Sequence, residues 1–110
     1  MDGLVVFHLK RFWEGRDLWE EIKAGRKTSE WRDATEYWSM RLVGEPMSTL
    51  DTFGSRDIEL DPLPEEAWFV VGYPKRNLPR LEAKIEKVIY HPNETQFEIQ
   101  FSNVVAVNKI

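Results

Sequence analysis

Cysteine is missing from this chain of 110 residues. Its absence rules out disulfides and thiolate metal sites, and it fits a cytoplasmic setting. Histidine is scarce as well. His8 and His91 stand far apart and supply no metal-ligand spacing, so neither a metal nor a cofactor is expected. No apolar run approaches the roughly 18 residues that span a bilayer, so no membrane partner is expected. The VVF near the start is too short for a signal peptide and lacks a cleavage site. Repeats and low-complexity tracts are absent too.

What the chain does have is enough apolar content to fold. Hydrophobic residues make up 42% and charged residues 31%, which places residues 1–110 among single globular domains rather than disordered chains. The formal net charge of −4 is unevenly spread. Segment 45–66 carries seven acids against Arg56, whereas 67–90 carries five bases (Lys75, Arg76, Arg80, Lys84, Lys87) against Glu82 and Glu86. Clustering of charge matters more than its total for steering a ligand, so a basic face is compatible with an acidic chain.

LVVFHL (4–9) reads as a strand. Asp17 followed by LWEEIK reads as a capped helix with Leu18, Trp19 and Ile22 on one side and Gly25 as its stop. Thr28 to Arg32 reads as a second strand. A second helix follows over TEYWSMRLVG, with Thr35 as cap and Gly44 as stop. Residues 45–66, acidic and punctuated by Pro46, Gly54, Pro62 and Pro64, read as an acidic loop or irregular insertion. AWFVVGY (67–73) returns to strand with both faces buried. Along 80–90, Leu81, Ala83 and Ile85 alternate with charge, then the phase slips to Val88 and Tyr90, which predicts a bulge near Lys87. Phe97, Ile99 and Phe101 alternate in a further strand, and VVAV (104–107) is a candidate last one. The expected fold is α+β, mainly β: a small barrel or curved sheet of about five to six strands with two or more short helices.

The stretch AGRKTSEWRD (24–33) concentrates charge where a helix hands over to a strand. In a strand, Thr28, Glu30 and Arg32 share one face and Ser29 and Trp31 the other. The Trp side is expected to pack into the core, leaving Glu30 and Arg32 as a hydrogen-bonding row with Lys27 at the corner. Arg offers a planar fork for a phosphate or a base edge and Lys a compact charge. The alternative is an exposed edge with ion pairs worth ~0–1 kcal/mol each.

The pattern I-x-x-G-x-K-T-x-E-x-R, here Ile22, Gly25, Lys27, Thr28, Glu30 and Arg32, resembles the signature of ASCH domains, which have a PUA-like β-barrel fold. YWSMRL (37–42) and VVGYPKR (70–76) extend the resemblance to most of the chain outside 45–66. The resemblance implies a cleft, lined by Lys27, Glu30 and Arg32, that binds single-stranded RNA, a nucleotide or a modified nucleoside. One branch of the family hydrolyses the acetyl amide of N4-acetylcytidine, and AGRKT matches that branch letter for letter. It assigns Lys27 as the catalytic lysine, with Thr28 and Glu30 beside it if the chain is an enzyme. The branch's nucleophilic Thr, however, falls where this chain has Glu30, and a carboxylate does not replace an attacking hydroxyl. Amide hydrolysis is therefore the alternative to simple binding. A ribonuclease is less favoured than either because no His-based or metal-binding cleavage set is evident. A further alternative is a regulatory module for a protein partner.

Around that motif, Tyr37, Trp38 and Arg41 follow on the second helix, and Tyr73, Lys75 and Arg76 lie in the later turn. The rings are candidates for base stacking, worth ~1–3 kcal/mol per base, and the cations for phosphate contacts. Against this, Tyr73 to Arg76 reads first as a turn with solvated charges. Trp13, Trp19, Trp31, Trp38 and Trp68 are expected mainly in the core, since a small barrel fills its interior with bulky groups. His8 reads as a strand residue without a catalytic part, and His91-Pro92-Asn93 as a turn.

Overall fold

Strand β1 (Leu4–Leu9) buries Val5, Phe7 and Leu9 and leaves His8 exposed, following the period-two alternation of its sequence. In the computed structural model, which describes residues 3–109, a short hairpin comes next: β2 (Phe12–Trp13) and β3 (Arg16–Asp17). Helix α1 (Leu18–Lys23) starts where Asp17 accepts a hydrogen bond from the Glu20 amide at 3.2 Å. It ends at Gly25, whose φ of +78° suits a residue without a Cβ. Strand β4 (Ser29–Asp33) leads to helix α2 (Glu36–Leu42), capped by Thr35, which accepts from the Trp38 amide at 3.3 Å.

The main sheet runs β1-β6-β7-β8-β4, with β6 at Glu66–Val71, β7 at Arg80–His91 and β8 at Gln96–Val107. β1 and β6 are parallel, with Leu4 opposite Glu66 and Leu9 opposite Val71, while the other neighbours are antiparallel. The β7–β8 ladder shifts register between Glu82 and Lys84 and again between Ile85 and Lys87. Extra residues at such points bend the strand, and the sheet curls into a half-barrel, a mainly β member of the α+β class. The second shift lies where the phase slip predicted a bulge. Residues 104–107 prolong β8 instead of forming a separate strand.

Segment 45–66 is more regular than expected. It contains helix α3 (Met47–Leu50), a turn of 3-10 helix at Asp51–Phe53 and strand β5 (Ile58–Leu60), antiparallel to β7 with Ile58 opposite Tyr90. Leu50 is buried in the core, Ile58 and Leu60 are half-buried, and the Lys87 ammonium pairs with Glu59 at 2.9 Å. Scattered prolines and acids had masked these apolar anchors.

Phe7, Phe69, Phe97, Phe101 and Tyr90 fill the core together with aliphatic side chains from β1, α1, α2, β6, β7 and β8. The tryptophans divide. Trp19 is buried, Trp38 is half-buried on the Phe7 ring, and Trp68 is half-buried beneath the Arg80 guanidinium at 3.6 Å. Trp13 and Trp31 are exposed, against expectation, the first because its hairpin stands off the sheet and the second because β4 turns its other face inward. Among the described residues no helix is long and apolar enough to cross a membrane.

Candidate nucleotide-binding cleft

The facing of β4 is the reverse of the sequence expectation: Glu30 is buried and Trp31 is 39% exposed. The physical reason is pairing. Glu30 Oε1 accepts from its neighbour's amide, Trp31 N, at 3.1 Å, lies 3.1 Å from Arg32 Nη1 and 3.8 Å from Lys27 Nζ. A carboxylate so surrounded is compensated for its lost hydration. Trp31 meanwhile gains a partner outside, the His91 imidazole, with ring centroids 4.9 Å apart.

Arg32 is held from several sides. Its Nη1 donates to the Trp31 carbonyl at 2.8 Å, and its guanidinium carbon lies 4.8 Å from the Phe7 ring centre and 5.5 Å from that of Trp38. Helix α2 reaches back to β1 as well, where Arg41 Nη2 donates to the Leu4 carbonyl at 3.2 Å. Curling of the sheet thus brings the outer strand β1 and the β4–α2 connection together. Between them opens a cleft of about 360 Å³ lined by Val6, His8, Arg32, Tyr37, Trp38, Arg41 and Tyr73.

The lining combines two guanidinium groups, one imidazole and three other aromatic rings, and none of its residues is acidic. Tyr37 meets Trp38 edge-on at 5.0 Å, and Tyr73 stacks on His8 at 4.2 Å. His8 Nδ1 lies 2.6 Å from the Gly72 carbonyl. A carbonyl can only accept, so His8 Nδ1 is the donor in this contact. The groups suit a planar, anionic ligand: rings for stacking, forks for phosphate oxygens. The hydroxyls lining the cleft are the phenols of Tyr37 and Tyr73.

Five of the residues singled out from sequence, Arg32, Tyr37, Trp38, Arg41 and Tyr73, therefore share this cleft. His8 and Val6 also line it; alternation in β1, which sets them on the face opposite Phe7, was the available signal. Glu30 lies behind Arg32 as its counter-ion and does not line the cleft. Lys27 and Thr28 border a different groove, of about 370 Å³, between the end of α1 and β8. There Lys27 Nζ donates to the Ser29 carbonyl at 2.7 Å. Lys75 and Arg76 sit exposed on the turn after Tyr73. The larger hollow, about 560 Å³ beside Pro62 and Pro64, carries Glu65, Glu66 and Glu82 against Lys84 and offers an anion little.

His91 closes β7 on the outer side of β4. Its Nδ1 lies 3.0 Å from Asp57 and its Nε2 2.9 Å from Glu98. Burial opposes the charged ring, but hydrogen bonds to Glu98 and Asp57 and the two carboxylate charges outweigh it, so its pKa is raised. Asp57, His91 and exposed Glu94 can each turn one ligand atom to within 4.8 Å of the others. Both ring nitrogens already face carboxylates, which is the arrangement of a charged imidazolium held by acids.

Compared with protein-family models, with curated proteins and with solved structures, the chain gives no match.

Proposed function

We propose that this protein binds a nucleotide unit, of single-stranded RNA or of a free or modified nucleotide, in the cleft between β1 and α2. The observation that carries the proposal is the convergence of Arg32, Arg41 and the rings of His8, Tyr37, Trp38 and Tyr73 on one acid-free cleft. Base stacking on such rings contributes ~1–3 kcal/mol per base, and a guanidinium fork engages phosphate with charge-assisted hydrogen bonds. Arg32 comes preorganised, since Glu30 and the Phe7 and Trp38 rings hold it in place before any ligand arrives. Less entropy is then lost on binding. The resemblance of AGRKTSEWRD to ASCH domains points the same way.

Amide hydrolysis of an acylated nucleoside is the weaker alternative. Lys27 Nζ is engaged with Glu30 and the Ser29 carbonyl, and Thr28 opens onto a separate groove. Unchanged N4-acetylcytidine after long incubation at high protein concentration is the outcome we expect.

Trp fluorescence titration with a short mixed-sequence single-stranded RNA, at low and moderate salt, tests binding directly. Wild type is expected to bind, to weaken steeply as salt rises, and to lose binding in Arg32→Ala and Arg41→Ala variants that remain folded. Equal affinity in wild type and both variants would remove the cleft from consideration.

A further inference from the structure

We propose that the β2–β3 hairpin is a second stacking station, extending the cleft into a track for single-stranded nucleic acid several nucleotides long. The proposal rests on the nucleotide-binding reading of the cleft and names a polymer, not a free nucleotide, as its ligand.

Phe12 and Trp13 are 61% and 50% exposed, and a cation lies over each ring. Lys10 Nζ lies 5.0 Å from the Trp13 ring centre, and the Arg11 guanidinium carbon 5.2 Å from that of Phe12. Adjacent large rings left in water on a small protein mark a contact surface. Rings that each carry a cation suit a ligand with alternating flat bases and phosphates better than an apolar partner, which would strip hydration from Lys10.

The hairpin is held firmly despite its length. Arg11 donates to both oxygens of Asp17 at 3.0–3.2 Å, and Arg16 donates to both oxygens of Glu21 at 2.7 and 3.0 Å. The Leu18 amide closes the loop on the Arg11 carbonyl at 2.7 Å. Those hydrogen bonds from Arg11 and Arg16 hold the Asp17 and Glu21 carboxyls below their usual range, so both acids are spent on internal pairs. Within residues 10–17, Lys10 over the Trp13 ring and Glu14 at the tip are the charges outside these pairs, and Glu20 lies 3.9 Å from Arg11.

Continuity with the cleft follows from topology. β1 and β6 run parallel, so the hairpin leaves β1 at the same end at which the Gly72–Arg76 turn leaves β6. Tyr73, 87% exposed, lines the cleft, and its neighbours Val71 and Pro74 line a small hollow of about 110 Å³ together with Arg11. Charge is graded along the molecule in the same sense. β5, flanked by Asp57 and Asp61, pairs with Val88–Tyr90, whereas Phe69 of β6 pairs with Leu81. About seven to nine residues of β7 separate these contacts, roughly 25 Å at ~3.3 Å per residue. A polyanion is thereby steered to the aromatic end and away from the acidic one.

The test compares a mononucleotide with a mixed-sequence RNA octamer, both titrated against wild type, the Phe12→Ala/Trp13→Ala double variant and Arg32→Ala. Wild type is expected to bind the octamer at least about tenfold more tightly than the mononucleotide. The double variant should lose about tenfold on the octamer and nothing on the mononucleotide, and Arg32→Ala should lose both. Lys10→Glu, which keeps both rings, should also weaken the octamer and flatten its salt dependence. If the hairpin variants bind the octamer as wild type does while Arg32→Ala does not, the track is refuted and the cleft survives. If wild type binds neither ligand, both proposals fall. Concentration-dependent dimerisation that the double variant abolishes would assign the rings to a second copy of the chain and equally overturn the track.

Discussion

Strand β4 separates two charge clusters built on opposite plans. On its inner side one anion stands between two cations: Glu30, with Arg32 at 3.1 Å and Lys27 at 3.8 Å. On its outer side one cation stands between two anions: His91, with Glu98 at 2.9 Å and Asp57 at 3.0 Å, capped by the Trp31 ring. The inner cluster holds two cations to one anion, and its Arg32 faces the cleft. The outer cluster depends on the protonation of a single imidazole. One face of a five-residue strand therefore positions a cation for the cleft, and the other carries a tie that varies with pH.

Removing the central group of the inner cluster should have the largest effect. Glu30→Gln leaves Lys27 and Arg32 facing each other at a largely buried site, where breaking an ion pair costs about 3 kcal/mol or more. The midpoint of urea unfolding should fall accordingly at every pH from about 5.5 to 8.5. A loss below about 1 kcal/mol would mean that the cluster is effectively solvated, as surface pairs are.

Arg32→Lys keeps the charge but removes the planar fork that lies against Phe7 and Trp38. Nucleotide affinity should fall about tenfold with little change in stability, because bidentate and stacked arginines are not replaced by lysine. Retention of full affinity would reduce the role of Arg32 to that of a point charge.

The outer cluster predicts a pH dependence with a definite sign. Its raised pKa means that folded His91 holds its proton above the ordinary value of 6.5. The stabilisation is fully present below the unfolded pKa and is lost as pH rises through the folded one. The stability gap between wild type and His91→Gln should therefore shrink steadily from about pH 5.5 to about pH 8.5. Asp57 ties the chain just before β5, Glu98 lies on β8 and Glu94 in the connecting turn, so all three face the ring and set this slope. A gap that is flat with pH would show that the imidazole does not change its charge in that window.

These clusters also show where sequence was informative. Apolar and β-branched content located β1, period-two alternation located β7 and β8, and the phase slip in β7 marked a real register shift, because burial of a core strand is written into its side chains. The caps Asp17 and Thr35 were equally local and equally legible. The orientation of β4 was not. Glu30 and Trp31 have opposite polarities, and polarity alone sent Trp31 inward; what buries Glu30 is its two cations, together with the closure of β1 onto α2. His91 was illegible for a related reason. Asp57 is distant in sequence, Glu98 lies across a turn, and Trp31 sits on β4, so only the β5–β7 and β4–β8 registers bring them together. Cleft residues were legible in part because an aromatic and basic cluster beside a strand carries its own signal, whereas exposed Phe12 and Trp13 look like ordinary core residues until a structure leaves them outside.

The smallest effect expected belongs to Trp31, and it separates the two faces most cleanly. Its ring stacks on His91 at 4.9 Å with an interplanar angle of 28° and has no place in the cleft lining. Trp31→Ala should cost about 0.5–1 kcal/mol, mostly the attraction of a charged imidazole for an aromatic face. That attraction exists only while His91 is protonated. The cost should accordingly be greater near pH 5.5 than near pH 8.5 and should vanish from the difference when His91→Gln is already present, as a double-mutant cycle would read it. Ligand affinity should not move, because Arg32 and Glu30 point the other way from the same strand. A Trp31→Ala variant that weakened nucleotide binding at unchanged stability would join the two faces that β4 holds apart.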